Sequence, residues 1–187
     1  MRFVVVYDAC VLYPAPLRDF LIRLATARLF AAKWTDRIHE EWIQNLLDKR
    51  PDLEGHLART RQLMDQAVPD CLVEGYEPLV QGLSLPDPGD RHVLAAAIRA
   101  GAQSIVTFNL EDFPDSYLSP YGVEAVHPDT FVVQQLDLHE AKVVATAKHH
   151  RAALKKPPKS VDEYLDTLAA QGLVATADRL RPFEDVL

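Results

Sequence analysis

The segment Phe3-Val-Val-Val-Tyr7, an unbroken apolar run of strand length closed by the single carboxylate of Asp8, constrains this chain more than any other stretch. A run with no polar alternation is the pattern of a strand buried on both faces, and such strands belong to parallel sheets covered by helices. In open α/β sheets ligands bind beyond the carboxyl ends of the strands, so Asp8 stands where such a sheet presents its chemistry. An α/β fold with a mostly parallel sheet is therefore expected. The question becomes which other groups converge on Asp8.

The rest of the chain alternates in the same sense. Leu17, Phe20, Leu21, Leu24 and Leu29 recur at helical spacing. Thr35 or Asp36 can cap a second helix carrying Ile38, Trp42, Leu46 and Leu47. Asp52 can cap a third, with Leu53, Leu57, Met64 and Ala67 inward, and Cys71-Leu-Val73 is a short strand candidate. Asp87, Pro88 and Gly101 mark the N-cap, first position and C-terminal stop of a helix whose inner face is Val93, Leu94, Ala97 and Ile98. Ser104–Thr107 reads as a central strand, Gly122–Val126 as another, and Asp129 opens a helix to about Leu136. Beyond Leu138 the texture is helical: a helix to about Leu154, a break at Lys155-Lys-Pro-Pro-Lys159, a capping box at Ser160-Val-Asp-Glu163, and a short helix from Leu173 to Leu180. The chain thus divides into an α/β unit over residues 1–137 and a helical C-terminal extension over residues 138–187.

A net charge of -7 argues against indiscriminate binding of phosphate backbones, which needs clustered Lys and Arg. One local exception is the run from Lys142 to Lys159, with six Lys or Arg, His149 and His150, and no acid. It suits either RNA phosphates or a solvated helix end. Arg18, Arg23 and Arg28 along the first helix are weaker contacts of the same kind. Two cysteines, Cys10 and Cys71, give no disulfide or zinc framework, and Cys10 reads as core. His92 reads as a helix-surface histidine, and Trp34 and Trp42 as packing groups. No apolar run has the length of a membrane span and the N-terminus is too brief for a signal peptide, so a cytoplasmic protein is expected.

Acids at strand ends and helix starts are Asp8, Glu40 or Glu41, Asp87, Asp90 and Asp112, with Thr107 and Asn109 nearby. Hard divalent cations want oxygen ligands of this type. Each acid also has a structural reading, as a cap, a turn former or part of a solvated face, and helical periodicity alone does not choose between Glu40 and Glu41.

In order and spacing the chain resembles the PIN-domain ribonucleases, particularly the VapC-type toxins of bacterial toxin–antitoxin pairs. The resemblance is carried by Val5-Val-Tyr-Asp8, Thr35-Asp-Arg-Ile-His-Glu-Glu-Trp-Ile43, Asp87-Pro-Gly-Asp90 and Val106-Thr-Phe-Asn-Leu-Glu-Asp-Phe113, and covers residues 1–135. It implies a PIN-like fold and Mg²⁺- or Mn²⁺-dependent hydrolysis of RNA. Asp8, Glu41 and Asp90 would hold the metal, Asp112 would complete the acidic pocket, and Thr107 and Asn109 would orient water, a ligand or phosphate. It further implies a cognate antitoxin partner and a homodimer. Asn109 stands where many relatives carry Asp, which leaves open a PIN-shaped regulatory or RNA-binding module without catalysis. A phosphatase with Asp8 as nucleophile is the other rival, but Cys10 stands where haloacid-dehalogenase-like phosphatases place a second Asp.

Overall fold

Val4–Tyr7 of the opening apolar run form strand β1 in the computed structural model, which describes residues 3–187. Val5, Val6 and Tyr7 are completely buried, as the lack of polar alternation demands. A short helix α1 (Ala9–Leu12) follows, then α2 (Ala15–Thr26), β2 (Ala31–Lys33), α3 (Asp36–Leu47), α4 (Glu54–Ala67) and α5 (Glu77–Val80). The chain continues through α6 (Arg91–Ala100), β3 (Ser104–Val106), α7 (Asp115–Leu118), β4 (Glu124–Val126), α8 (Pro128–Ala153), α9 (Val161–Ala170) and α10 (Val174–Leu180).

Among the described residues there is one parallel four-stranded sheet, in the order β2-β1-β3-β4. From β1 the chain steps outward to β2, then returns to the other side of β1 to lay down β3 and β4. The strand order therefore reverses between β1 and β3, and a crevice at the carboxyl ends of these two strands is the expected ligand position. Their register sets Tyr7 beside Val106, so the next residues, Asp8 and Thr107, emerge together.

The described residues fall into two compact units, the chain up to Tyr13 with Phe30–His127, and Pro14–Leu29 with Pro128–Leu187. The division expected at residue 137 followed the sequence texture, whereas packing assigns α2 to the same unit as the C-terminal helices. α2 lies on α8 and α9 there.

In the first unit, β2 was not anticipated, because Ala-Ala-Lys has little intrinsic strand preference. Pairing with β1 from Val4–Ala31 to Val6–Lys33 imposes it. The strand expected at residues 71–73 is reduced to one bridge, in which Trp34 N–H donates to Cys71 O and Val73 N–H to Trp34 O, each at 2.9 Å. Asp52 pairs with Arg50 at 2.7 Å instead of capping a helix, and α4 starts two residues later. Its buried positions are Leu57 and Met64; Ala67 is exposed and Val68 takes the inward place.

α3 and α4 are joined by a polar chain inside an apolar setting. Trp42 Nε1 donates to His39 Nδ1 (3.0 Å), which leaves Nε2–H to donate to Asp65 Oδ1 (2.9 Å), the oxygen that also receives Trp34 Nε1 (2.8 Å). Trp34, His39 and Trp42 are fully buried, so Trp34 and Trp42 do pack. Burial lowers the His39 pKa, keeping the ring neutral, while Asp65 opposes the shift.

In the second unit, the two helices expected on either side of Leu138 run as one element with non-helical dihedrals at His139 (φ -145°, ψ 42°). The carboxylate of Asp129 serves α10: Oδ2 accepts from Ala175 N (2.8 Å), and Oδ1 from Thr176 N (2.8 Å) and Thr176 Oγ1 (2.7 Å). α10 has no cap side chain of its own, so Asp129 supplies one from a distance of 46 residues. The expected capping box of Ser160 and Glu163 is present at α9. Arg18 is buried, which removes it from any RNA-contacting surface, and Arg23 is paired with Asp19 at 2.9 Å.

Replacing Asp129 by Ala leaves two helix-end N–H groups and the Thr176 hydroxyl without their acceptor. The expected loss is about 2 kcal/mol, read as a lower urea midpoint with an unchanged slope. A second outcome concerns pH. His150 is fully buried on the Phe20 ring, with Nδ1 3.0 Å from Tyr164 Oη, and burial lowers its pKa from 6.5 to about 4 against the pull of Asp19. The unfolded chain thus binds this proton first. Stability from the neutral ring is complete above pH 6.5 and is lost as pH falls toward about 4, by up to roughly 3 kcal/mol. Urea titrations of wild type and His150→Phe across that window should diverge accordingly.

Candidate active site

Asp8 is fixed before any ligand arrives. It ends β1, N-caps α1 and is 6% exposed. Oδ1 accepts from Ala9 N (2.7 Å), and Oδ2 from Thr107 Oγ1 (2.7 Å) and Cys10 Sγ (3.2 Å). Thr107, fully buried at the end of β3, accepts in turn from Asn109 N (3.0 Å). Its hydroxyl is therefore spent on orienting Asp8 across the β1–β3 crevice. With both carboxylate oxygens held, Asp8 is a poor covalent nucleophile and a well-placed ligand.

Cys10 is not core. It borders the same cleft, and its Sγ also receives Phe108 N at 3.3 Å. Burial, with the Asp8 charge adding to it, pushes the thiol up to about 12, so Cys10 stays protonated and unreactive.

An open cleft of about 690 Å³ lies over these strand ends, and its walls include Asp8, Cys10, Glu40, Glu41, Asp90 and Asn109. Glu40 and Glu41 come from α3, whose N-cap is Thr35, its hydroxyl accepting from Ile38 N at 3.1 Å. Both glutamates line the cleft, but they differ in setting. Glu40 is exposed, whereas Glu41 is half-buried, with Oε1 3.4 Å from Arg37 Nε and 2.7 Å from His92 Nε2. Arg37 itself lines the cleft, one turn before Glu41, and is its cationic rim.

Asp90 ends a short turn that Asp87 caps through Gly89 N (2.7 Å), so Asp87 does the capping and Asp90 makes no cap bond. Its carboxyl is pushed from 3.8 up to about 6, first by burial and then by the charges of Asp8, Asp87, Asp112 and Glu41. Asp112 lies in the turn after Asn109 and makes itself felt through that charge, without lining the cleft. Four acids from separate segments thus act on one carboxyl.

This donor set fits a hard cation: the oxygens are carboxylates, the one thiol is protonated, and Asp90 carries a repulsion that positive charge would reverse. Among the described residues no three His, Cys, Asp or Glu side chains are grouped to hold a metal ion directly. A cation such as magnesium, which keeps several waters and takes one or two carboxylates, suits that arrangement better than a closed cage.

His92, expected from the sequence as a helix-surface histidine with a metal ligand or proton shuttle as the alternative, is fully buried. The signal was available: Val93 to Ala97 is apolar throughout, and a helix apolar all round is buried all round. Arg37 was legible too, as an i, i+4 partner of Glu41.

The metal-free fold should pay for Asp90. Its folded pKa lies above the unfolded one, so stability falls as pH rises from about 4 to about 6. Asp90→Asn is expected to be more stable than wild type at pH 7 by about 1 kcal/mol after allowing for solvent screening, and equal to it below pH 4. Thermal melts in chelator at both pH values read this directly.

Residues 4–111 match a protein family described as the PIN domain, and residues 128–182 match one described as the VapC50 C-terminal domain. Over 110 residues the chain is 43% identical to a protein of Mycobacterium tuberculosis named "Putative ribonuclease VapC50". That alignment covers 58% of this chain and 64% of the relative, so less than two thirds of the relative's length is spanned. No solved structure matches the chain.

Proposed function

The chain belongs to the PIN domain family, and from that premise we propose that it is a divalent-metal-dependent ribonuclease acting as the toxin of a toxin–antitoxin pair. The observation that carries this reading is that Asp8, Glu41 and Asp90 line one cleft at the carboxyl ends of the two strands where the sheet order reverses, with the charge of Asp112 acting on Asp90 from beside it. The relative's name supports RNA as the substrate class.

Asp8, Glu41 and Asp90 would hold Mg²⁺ or Mn²⁺, with Asp112 adding negative charge behind them. Held by these residues, such an ion would lower the pKa of a nearby water and offset charge developing on the phosphodiester. Asp8 contributes rigidity, since Thr107, Ala9 N–H and Cys10 fix both of its oxygens. Asn109 offers its side-chain amide to water or phosphate from the cleft wall. Arg37 offers a guanidinium to a phosphate oxygen at the rim, which offsets the acidity of a cleft that must admit a polyanion.

The C-terminal basic run supplies backbone contacts in this reading, but not with all its members. His150 is buried, and Arg151 is used internally on Leu187 O (3.0 Å) and Lys159 O (2.8 Å). Lys142, Lys148, His149, Lys155 and Lys156 are exposed. Phosphate contacts of this type give affinity without base reading and weaken with salt. The acidic cleft equally suits a cationic segment of an antitoxin, and pairing of two copies belongs to the same reading. No described helix is long and apolar enough to cross a membrane.

The pure protein incubated with tRNA and rRNA should cleave only with Mg²⁺ or Mn²⁺ present. Asp8→Asn and Asp90→Asn should each lower the rate at least about 100-fold, the loss expected when electrostatic stabilisation of the transition state is removed. Intact RNA with wild type and either metal, together with harmless expression, would overturn the nuclease reading.

A further inference from the structure

His92 is the one charged-or-polar side chain of α6 that is fully buried, and neither of its ring nitrogens makes a hydrogen bond of ordinary geometry. Buried polar groups in native proteins are partnered as a rule, and an exception marks a functional demand. Apolar packing alone would be served better by the alanines and leucine that fill the rest of the helix. What the ring has instead is proximity: Nε2 lies 2.7 Å from Oε1 of Glu41, without the alignment of a settled bond.

The two partners are unequal. His92 is walled in on every side, whereas the Glu41 side chain is 35% exposed, faces the cleft and has the exposed Arg37 as its other neighbour. A fixed ring beside a carboxylate free to turn means that the ring aims the carboxylate. Glu40, one residue earlier, is exposed and has no such buried neighbour among the described contacts.

We propose that His92 is a positioning residue, whose Nε2–H holds the Glu41 carboxylate toward Asp8 and Asp90 and thereby selects Glu41 over Glu40 as the functional glutamate. This rests on the reading of the cleft as a cation site. The physics is that of outer contacts in metal centres, where a neighbour that orients a ligand changes affinity by 10–100-fold without touching the ion.

The test is Mn²⁺ binding by calorimetry on the full chain, without RNA. His92→Leu should weaken Mn²⁺ about 10-fold while the metal-free protein melts no lower than wild type, because an unpartnered buried group has been removed. His92→Gln, which returns an N–H near the Nε2 position, should recover binding to within about 3-fold of wild type. In a Glu41→Gln background His92→Leu should have no further effect, a coupling that a merely structural role would not produce. Equal Mn²⁺ affinity of His92→Leu and wild type, or an undiminished effect of His92→Leu beside Glu41→Gln, would overturn the proposal. Failure of the underlying reading looks different: Glu41→Gln and Asp90→Asn would then bind Mn²⁺ like wild type. Should His92→Leu fail to fold, ring ¹⁵N shifts of wild type decide the matter. The His92 resonances should move on adding Mg²⁺, and rings that stay unmoved while the cleft backbone responds would count against it.

Discussion

The pairing of β1 with β3 is the constraint on which the first unit depends. These strands are adjacent in the sheet yet about a hundred residues apart in sequence, and their parallel register brings Tyr7 beside Val106. From that register follows the 2.7 Å bond from Thr107 Oγ1 to Asp8 Oδ2, which crosses the point where strand order reverses. A slip of one residue would turn Asp8 toward the other face of the sheet and dissolve the site. Such a slip would also exchange the neighbours of the completely buried Val5, Val6 and Tyr7, so core packing and site geometry enforce the same register.

Within the site, rigidity and repulsion are distributed unevenly. Asp8 has its charge satisfied by three donors. Asp90 has no cap bond and sits among like charges. That crowding is a repulsion a cation would relieve. Glu41 lies between these extremes, with one oxygen close to Arg37 and His92 and its side chain open to the cleft.

The second unit has a different logic. No sheet organises it; α2, α8, α9 and α10 pack helix on helix, with polar fastenings at long sequence separation. Asp129 captures the start of α10, and Arg151 reaches the backbone of Leu187. These bonds consume charges that would otherwise read as surface. That is why a basic run read from sequence overstates the exposed positive charge of this unit.

Much of the fold was legible because local rules and global packing agree. The apolar run of β1, Thr35 as a cap, the Pro88 start and the αL glycine at Gly101, and the Ser160 capping box each act within a few residues. The acids were legible as a set, since strand ends and helix starts are readable from periodicity, and their order carried the family resemblance. β2 was not, because three weak strand formers become a strand only beside β1. Nor were the burial of His92 and Arg18, the position of Cys10 on the cleft wall, or the choice between adjacent glutamates, all of which depend on what packs from distant segments. The order of residues alone carries the parallel sheet that ends on Asp8 and the supply of acids that could meet it. Which acids share the cleft, and which buried groups lie beside them, is settled by folding, because electrostatic coupling and burial depend on distance in space.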